Sequence, residues 1–372
     1  MKQKKGLYLT LATTVMVVAM LLLPTGFENP ELSENIHYEK ARVVGVDNSD
    51  ISNISVVVLG TQDFELEILS GEFRHTTVSA VNPLLGDKRR DKLFEQGDKV
   101  LCVIRLDSKD AGKIAEVRAE DYYRQDLELL LMIIFVAALI LFAGKTGAKA
   151  ALSFLFTALS FWKILIPALL RGYSPLLVSI GVVIVTTSII ILLVGGISKR
   201  GIVALLGAIA GVVVTAALAL IFGHYFNIPG TVQEYSDALF YAGFADLDFS
   251  QMLLSCIFIS SAGAVMDVAM DIAAAQDELI HKAPHLTVRE LVKSGLNIAS
   301  PVVGSMTTTL LFAYSGSFMF AFMAFMAQGV PLESIINRGY IASEILLTLV
   351  GSFGLVLVAP ITAILGGYIF KK

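Results

Sequence analysis

The sequence predicts a polytopic α-helical membrane protein of about eight transmembrane helices. A small extracytoplasmic β-barrel-like or β-sandwich domain is expected between the first helix and the second. Three observations carry this. Of the 372 residues, 55% are hydrophobic and only 16% are charged, whereas soluble domains carry about 25% charged residues. The apolar residues fall into separate runs, each near the ~20 residues that a helix needs to cross ~30 Å of hydrocarbon. Most of the charges sit in one block, residues 24–126, whose runs are short, alternating and β-branched.

Residues 1–23 place Lys2, Lys4 and Lys5 before a mostly apolar stretch. This is a membrane anchor or a signal-like helix. No A-x-A cleavage pattern follows, which favours an uncleaved anchor. Residues 24–126 contain "ARVVGVD", "ISVVVLG", "FELEILSG", "TTVSAV", "KVLCVIRL" and "KIAEVRAE". These read as six strands punctuated by turns such as "NPLLGDK" and "QGDK". Six short strands suit a small barrel or sandwich that hides its own edges. The block holds no catalytic constellation, so a structural or docking module is expected.

Residues 127–372 form the membrane domain, with spans expected at 127–144, 150–170, 175–197, 201–223, 251–275, 296–327 and 341–368. The 296–327 segment is long, and Gly304 and Gly316 within it suggest a tilt, a break or a re-entrant turn. Lysine and arginine set the orientation. Alternate loops collect Lys145, Lys149, Lys199, Arg200, Lys282, Arg289 and Lys293 on the side of both termini, against Arg171 and Arg338 on the other. Both termini are therefore expected in the cytoplasm and residues 24–126 outside a plasma membrane. The cytoplasmic stretch "QDELIHKAPHLTVRELVKSG" is amphipathic. Thr287 and Glu290 in it form a capping-box pattern for a short interfacial helix. His281 and His285 flank Pro284, which favours a solvated pair over a metal pair.

The lipid bilayer is the implied surrounding. No basic block with interleaved aromatics points to nucleic acid. Cys102 and Cys256 lie in segments of different character and no disulfide is expected. No cofactor and no enzymatic activity are expected, and the sequence names no metal.

One stretch stands out. "SSAGAVMDVAMDIAAAQDE" puts Asp267 and Asp271 one helical turn apart inside an apolar run. At helical spacing, Cys256, Ser260, Gly263, Asp267 and Asp271 share one face. Small residues admit a close helix neighbour, so this face is expected to point into the bundle. An ionised Asp near mid-membrane costs about 3 kcal/mol or more unless paired or hydrated. Asp267 is thus the expected proton or cation site, with Asp271 nearer the interface. Ser300, Ser305 and Thr308 on the next span are expected at matching depth, beside Thr307 and Thr309. The competing reading is a protonated Asp that hydrogen-bonds two helices together.

Other motifs fail on their chemistry. "GAVMDVAMD" matches half of the pattern of membrane CDP-alcohol phosphotransferases, but "LDFSQMLLSC" lacks the upstream carboxylates that chemistry needs for its metals. Met266 and Met270 fit packing better than soft-metal ligation. "YSGS" has no His in the membrane spans to activate its serine.

"GISKRGIVALLGAIAGVV", "DLDFSQMLLSCIFISSAGAVMDVAMDIAAAQDEL" and "TVRELVKSGLNI…GSMTTTLLFAYSGS" resemble the YibE/F-like membrane protein family over about residues 190–320. "FEQGDKVLCVI" and the anchor extend the resemblance to the longer, YibE-type members. The resemblance implies a permease-type membrane protein, with a second copy or a related YibF-type membrane subunit as partner. Similar proteins carry a G-R-D run where this chain has Ala299, Ser300 and Pro301, and Asn where it has Thr308. A carboxylate missing from that helix is balanced by Asp271 on the preceding one. The expected function is a permease or transporter coupled to protons or cations through Asp267. The alternative is a scaffold or sensor whose β domain binds an envelope component or a partner protein.

Overall fold

The computed structural model describes residues 2–28, 35–54, 57–88, 91–107 and 113–371. Ser55 and Val56 of one expected strand, Lys372, and the side chains of Lys2, Lys4, Lys5 and Ser317 lie outside the described residues. Two compact units result: Phe27–Ala138, and Met1–Gly26 with Leu139–Lys372.

The first unit is built on strands β1 (Ile36–Asp47), β2 (Ile51–Ile54), β3 (Val57–Ile68), β4 (Thr77–Leu85), β5 (Lys99–Leu106) and β6 (Ile114–Tyr122). They run β1-β5-β6-β4-β3-β2, and β3 also pairs with β1. Five strands therefore close on themselves, while β2 lies outside the ring as a hairpin on β3. The β4–β6 seam is parallel and holds through Val81 and Arg118. This is the Greek-key closure of a small OB-type barrel. A register shift between Val43 and Gly45 marks a bulge in β1. Such a bulge bends a strand, and β1 pairs with β5 along Ile36–Arg42 and with β3 along Ala41–Asp47.

Alternation gives the barrel its core. Val43, Phe64, Leu66, Ile68, Val100, Cys102 and Ile104 point inward and are buried. Phe94, from the loop before β5, stacks edge-on against Phe64 and Tyr122 at 5.9 and 5.1 Å. Two expectations change. The "VVLG" of "ISVVVLG" and most of "FELEILSG" belong to one long strand, β3, rather than two. "NPLL" continues β4 instead of turning. The reason is a buried amide pair. Asn82 donates to Lys92 O and Gln62 Oε1, while Gln62 donates to Asn48 Oδ1 and Phe94 O and accepts from Phe94 N. Those bonds reward an extended Asn82 that faces the interior.

The helices are α1 (Lys2–Leu22), α2 (Gln125–Ser160), α3 (Ile166–Leu170), α4 (Pro175–Val194), α5 (Lys199–Phe226), α6 (Ser236–Tyr241), α7 (Phe249–Lys282), α8 (Val288–Ala327), α9 (Leu332–Ile336) and α10 (Gly339–Lys371). A π-helical turn, Phe161–Leu165, joins α2 to α3. Among the described residues, six helical stretches are long and apolar enough to cross a membrane: 125–170, α4, α5, α7, 288–316 of α8, and α10. Gly144 interrupts α2 with φ 54° and ψ −125°. That positive φ is cheap for glycine alone, and it divides α2 into two limbs. Lys163 in the π-helical turn donates to Leu23 O, and Arg171 after α3 donates to Thr25 O, so two cations hold the chain just beyond α1.

α5, α7 and α10 pack mutually as the core of the second unit, with α4 against α5 and α7 and α8 against α7 and α10. Glycines permit the close approach: a methyl on Gly211 would stand 2.5 Å from Val265 Cγ1. Of the tilt, break or re-entrant turn expected in 296–327, the break and the re-entrant turn do not occur: α8 runs unbroken through Pro301, Gly304 and Gly316. The Thr287–Glu290 capping box forms as expected, but it starts this 40-residue helix and not a short interfacial one.

Candidate functional site

Asp267 lies near the middle of the 34-residue α7. Cys256, Ser260, Gly263, Asp267 and Asp271 do share one face, but that face is exposed, not turned into the bundle. This corrects the expected orientation. α7 has a second face, with Val265, Val268, Ala269, Ile272 and Ala273, and that face fills the core. Burying branched apolar groups there gains more than burying Gly, Ser and Asp would, so the acids face outward. Neither Asp267 nor Asp271 has a hydrogen-bond or ion-pair partner among the described residues. Each is the other's charged neighbour.

Ser305 and Thr308 of α8 share the depth of Asp267 but do not bond to the acids. The Tyr314 hydroxyl lies beside Ser260. Counting seven residues from that contact along both antiparallel helices brings Asp267 level with Thr307. Ser305 and Thr308 fall within one turn of this level, and Ser300 falls beyond Asp271. Ser305 donates to Val302 O at 3.0 Å and Thr308 to Gly304 O at 3.4 Å, within their own helix. Ser300, Ser305 and Thr308 are exposed, as Asp267 is. Ser260 donates to Ile257 O at 3.0 Å and lies beside the Tyr314 hydroxyl.

Sequence reading missed the next members of this group. Glu344, in the second turn of α10, is half-buried and within electrostatic reach of Cys256, Tyr314 and Tyr340. Tyr314 itself packs against the cluster of Ile257, Leu346, Leu347 and Val350. Three helices thus bring a carboxylate, a phenol and a hydroxyl together about two turns, or ~10 Å, along α7 from Asp267. The signal was available: "GYIASEILLTLV" carries one acid inside an apolar run.

Gln276 was missed as well. It is fully buried on the opposite side of α7 and donates to Leu291 O at 3.1 Å and Ala363 O at 2.9 Å. It ties α7, α8 and α10 together, and Gly295 and Gly366 leave room for its amide. Among the described residues, no group of three or more His, Cys, Asp or Glu side chains is placed to hold a metal ion. His281 sits beside Asp277. Both cysteines are free thiols, Cys102 buried in the barrel and Cys256 exposed on α7.

Residues 131–372 match the family described as YibE/F-like protein. The chain belongs to that family. The match reaches well beyond the 190–320 region of the quoted motifs and takes in α4 to α10 with most of α2. The barrel and α1 lie outside the matched residues. No curated protein and no solved structure matches the chain.

Proposed function

We propose that this YibE/F-like protein is a permease-type transporter of the plasma membrane, coupled to protons or cations through Asp267. The observation that carries the reading is an unpartnered carboxylate midway along a helix long and apolar enough to span a membrane. Such a group is costly in lipid and marks an ion or proton pathway by default. Ser260, Tyr314 and Glu344 extend the polar surface from Asp267 toward one end of α7, and Asp271 extends it toward the other. From the level of Ser260 to Asp271 is about 16 Å of helix, roughly half of a bilayer core.

Eight crossings follow if α1, both limbs of α2, α4, α5, α7, α8 and α10 each span the membrane. An even number leaves both termini on one side, and the lysine-rich loops make that side the cytoplasm. The barrel is then extracytoplasmic. A second copy of the chain, or a related membrane subunit, is the expected neighbour of the outward face of α7. A methyl on Gly263, Gly304 or Gly316 would meet nothing, whereas one on Gly211 or Gly351 would meet another helix.

The test is ion movement in proteoliposomes, read with an internal pH dye under an imposed potential. Wild type should move protons or cations, and Asp267→Asn should not, at equal incorporation. Asn keeps the shape of Asp but cannot ionise. A fully active Asp267→Asn would remove Asp267 from the pathway.

One observation favours the scaffold or sensor alternative. A groove of about 520 Å³ crosses the outer surface of β1, β3 and β4, with Asp47, Asp63 and Glu65 along it. Its charge suits a cationic or amine-bearing envelope component. Silence of the wild-type chain over many ions would move this reading ahead.

A further inference from the structure

A second cavity lies where α8 begins and α10 ends. The two helices touch there, since a methyl on Gly367 would stand 2.5 Å from Val292 Cγ2. Outside that contact is a groove of about 620 Å³, lined by Arg289, Val292, Lys293, Leu296, Ile364 and Tyr368. Its chemistry is graded along the helices. Arg289 and Tyr368 sit in the terminal turns, Lys293 and Ile364 one turn deeper, and Leu296 deeper still. Arg289 and Lys293 are one helical turn apart and exposed, and neither has a carboxylate partner among the described residues. The nearby Glu290 is committed to Thr287 in the capping box.

Two cations at the mouth and aliphatic side chains within fit an amphiphile with an anionic head. We propose that this groove binds an anionic phospholipid, its phosphate between Arg289 and Lys293 and one acyl chain along Leu296 and Ile364. Basic pockets between helices at the headgroup level recognise anionic lipids in this way. Tyr368 suits the same level, with its ring against the chain and its hydroxyl toward water. A zwitterionic lipid would bring its own cation to a site that already holds two. The proposal rests on the membrane placement of α8 and α10, not on transport through Asp267, so either can fail without the other.

The experiment is native mass spectrometry of the full chain in detergent, titrated with phosphatidylglycerol or phosphatidylcholine. Wild type should retain phosphatidylglycerol in preference to phosphatidylcholine. The Arg289→Gln/Lys293→Gln variant should lose about tenfold or more in phosphatidylglycerol affinity, with phosphatidylcholine unchanged. Ile364→Trp, which fills the groove and keeps both charges, should also weaken it. The Lys199→Gln/Arg200→Gln control, at a basic pair that does not line this groove, should not. Equal retention of the two lipids, or wild-type retention by the double variant, would overturn the proposal. So would an unaffected Ile364→Trp, which would reduce the site to surface charge. Displacement of the lipid by inorganic phosphate at similar concentration would point to a free-phosphate site and would also overturn it.

Discussion

The barrel and the open face of α7 treat polar side chains in opposite ways. In the barrel, the Gln62 amide makes four hydrogen bonds, to Asn48, Asn82 and Phe94, and the Asn82 bond to Lys92 O completes the network. In the helical unit, Asp267 and Asp271 have no hydrogen-bond partner among the described residues, although both lie on a helix apolar enough to span lipid. The amide donors of Gln62, Asn82 and Gln276 are satisfied on the spot, because an unpaired buried donor costs about 1–3 kcal/mol. Polar groups left open are available to something outside the chain. Gln276 shows the distinction on α7 itself: its buried amide nitrogen donates to two neighbouring helices, while Asp267 faces out.

The largest structural effect is expected where the satisfied network is broken. Gln62→Ala leaves the buried Phe94 N–H and carbonyl without their partners. It should cost the barrel about 2–3 kcal/mol, read from the shift of its denaturant midpoint. An unchanged midpoint would mean that the network does not hold the Phe94 loop in place. Gln276→Leu should cost less, about 1 kcal/mol, as interhelical hydrogen bonds in membranes do. Thermal unfolding in detergent would show it, and Asp267→Asn in the same assay should leave the fold unmoved. An equal loss from Asp267→Asn would make the acid a structural group like Gln276 and erase the contrast.

The two cysteines sharpen the comparison chemically. Burial pushes the Cys102 thiol up to about 11, opposed by its bond to Glu39 O. Cys102 should resist a charged maleimide until mild denaturant opens the barrel. On intact cells the denatured barrel should then label, and labelling only after lysis would contradict an extracytoplasmic barrel. The smallest effect concerns Asp121. Burial alone would raise its pKa, but Arg124, Lys92 and the Tyr122 N–H outweigh it and bring the carboxyl down to about 2. A depressed carboxylate stabilises the fold fully above its unfolded value of about 3.9. That contribution is lost as pH falls through about 2. Asp121→Asn should therefore flatten the acid limb of the barrel's stability curve, and an unchanged limb would show that the ion pairs are too exposed to matter.

Much of this architecture was legible because its signals are local. Alternation gave most strands of the barrel, and run length gave the long apolar helices. Thr287 and Glu290 gave a helix start. The helical period grouped Cys256, Ser260, Gly263, Asp267 and Asp271 correctly, but a period does not say which face is packed. The competing face, from Val265 to Ile272, decided that through contacts with α5 and α10. Long-range partners were equally hidden. The continuation of β4 through Asn82 depends on Gln62, twenty residues earlier. Glu344 joins Tyr314 and Ser260 only because α7, α8 and α10 converge. Gln276 opens the stretch whose pattern is amphipathic, and its burial follows only from the packing of α8 and α10 around it at Gly295 and Gly366.

The central claim is that the open face of α7 is a working, hydrated surface rather than a lipid-facing one. Site-directed thiol labelling tests it directly. In a Cys102→Ser/Cys256→Ser chain in intact membranes, Gly263→Cys places a thiol one turn from Asp267, and Val268→Cys places one on the packed face. A membrane-impermeant charged reagent should modify the thiol at position 263 and leave that at 268 untouched. If the thiol at 263 reacts only with lipid-soluble reagents, the acids face sealed lipid, and the proton or cation pathway through Asp267 is contradicted.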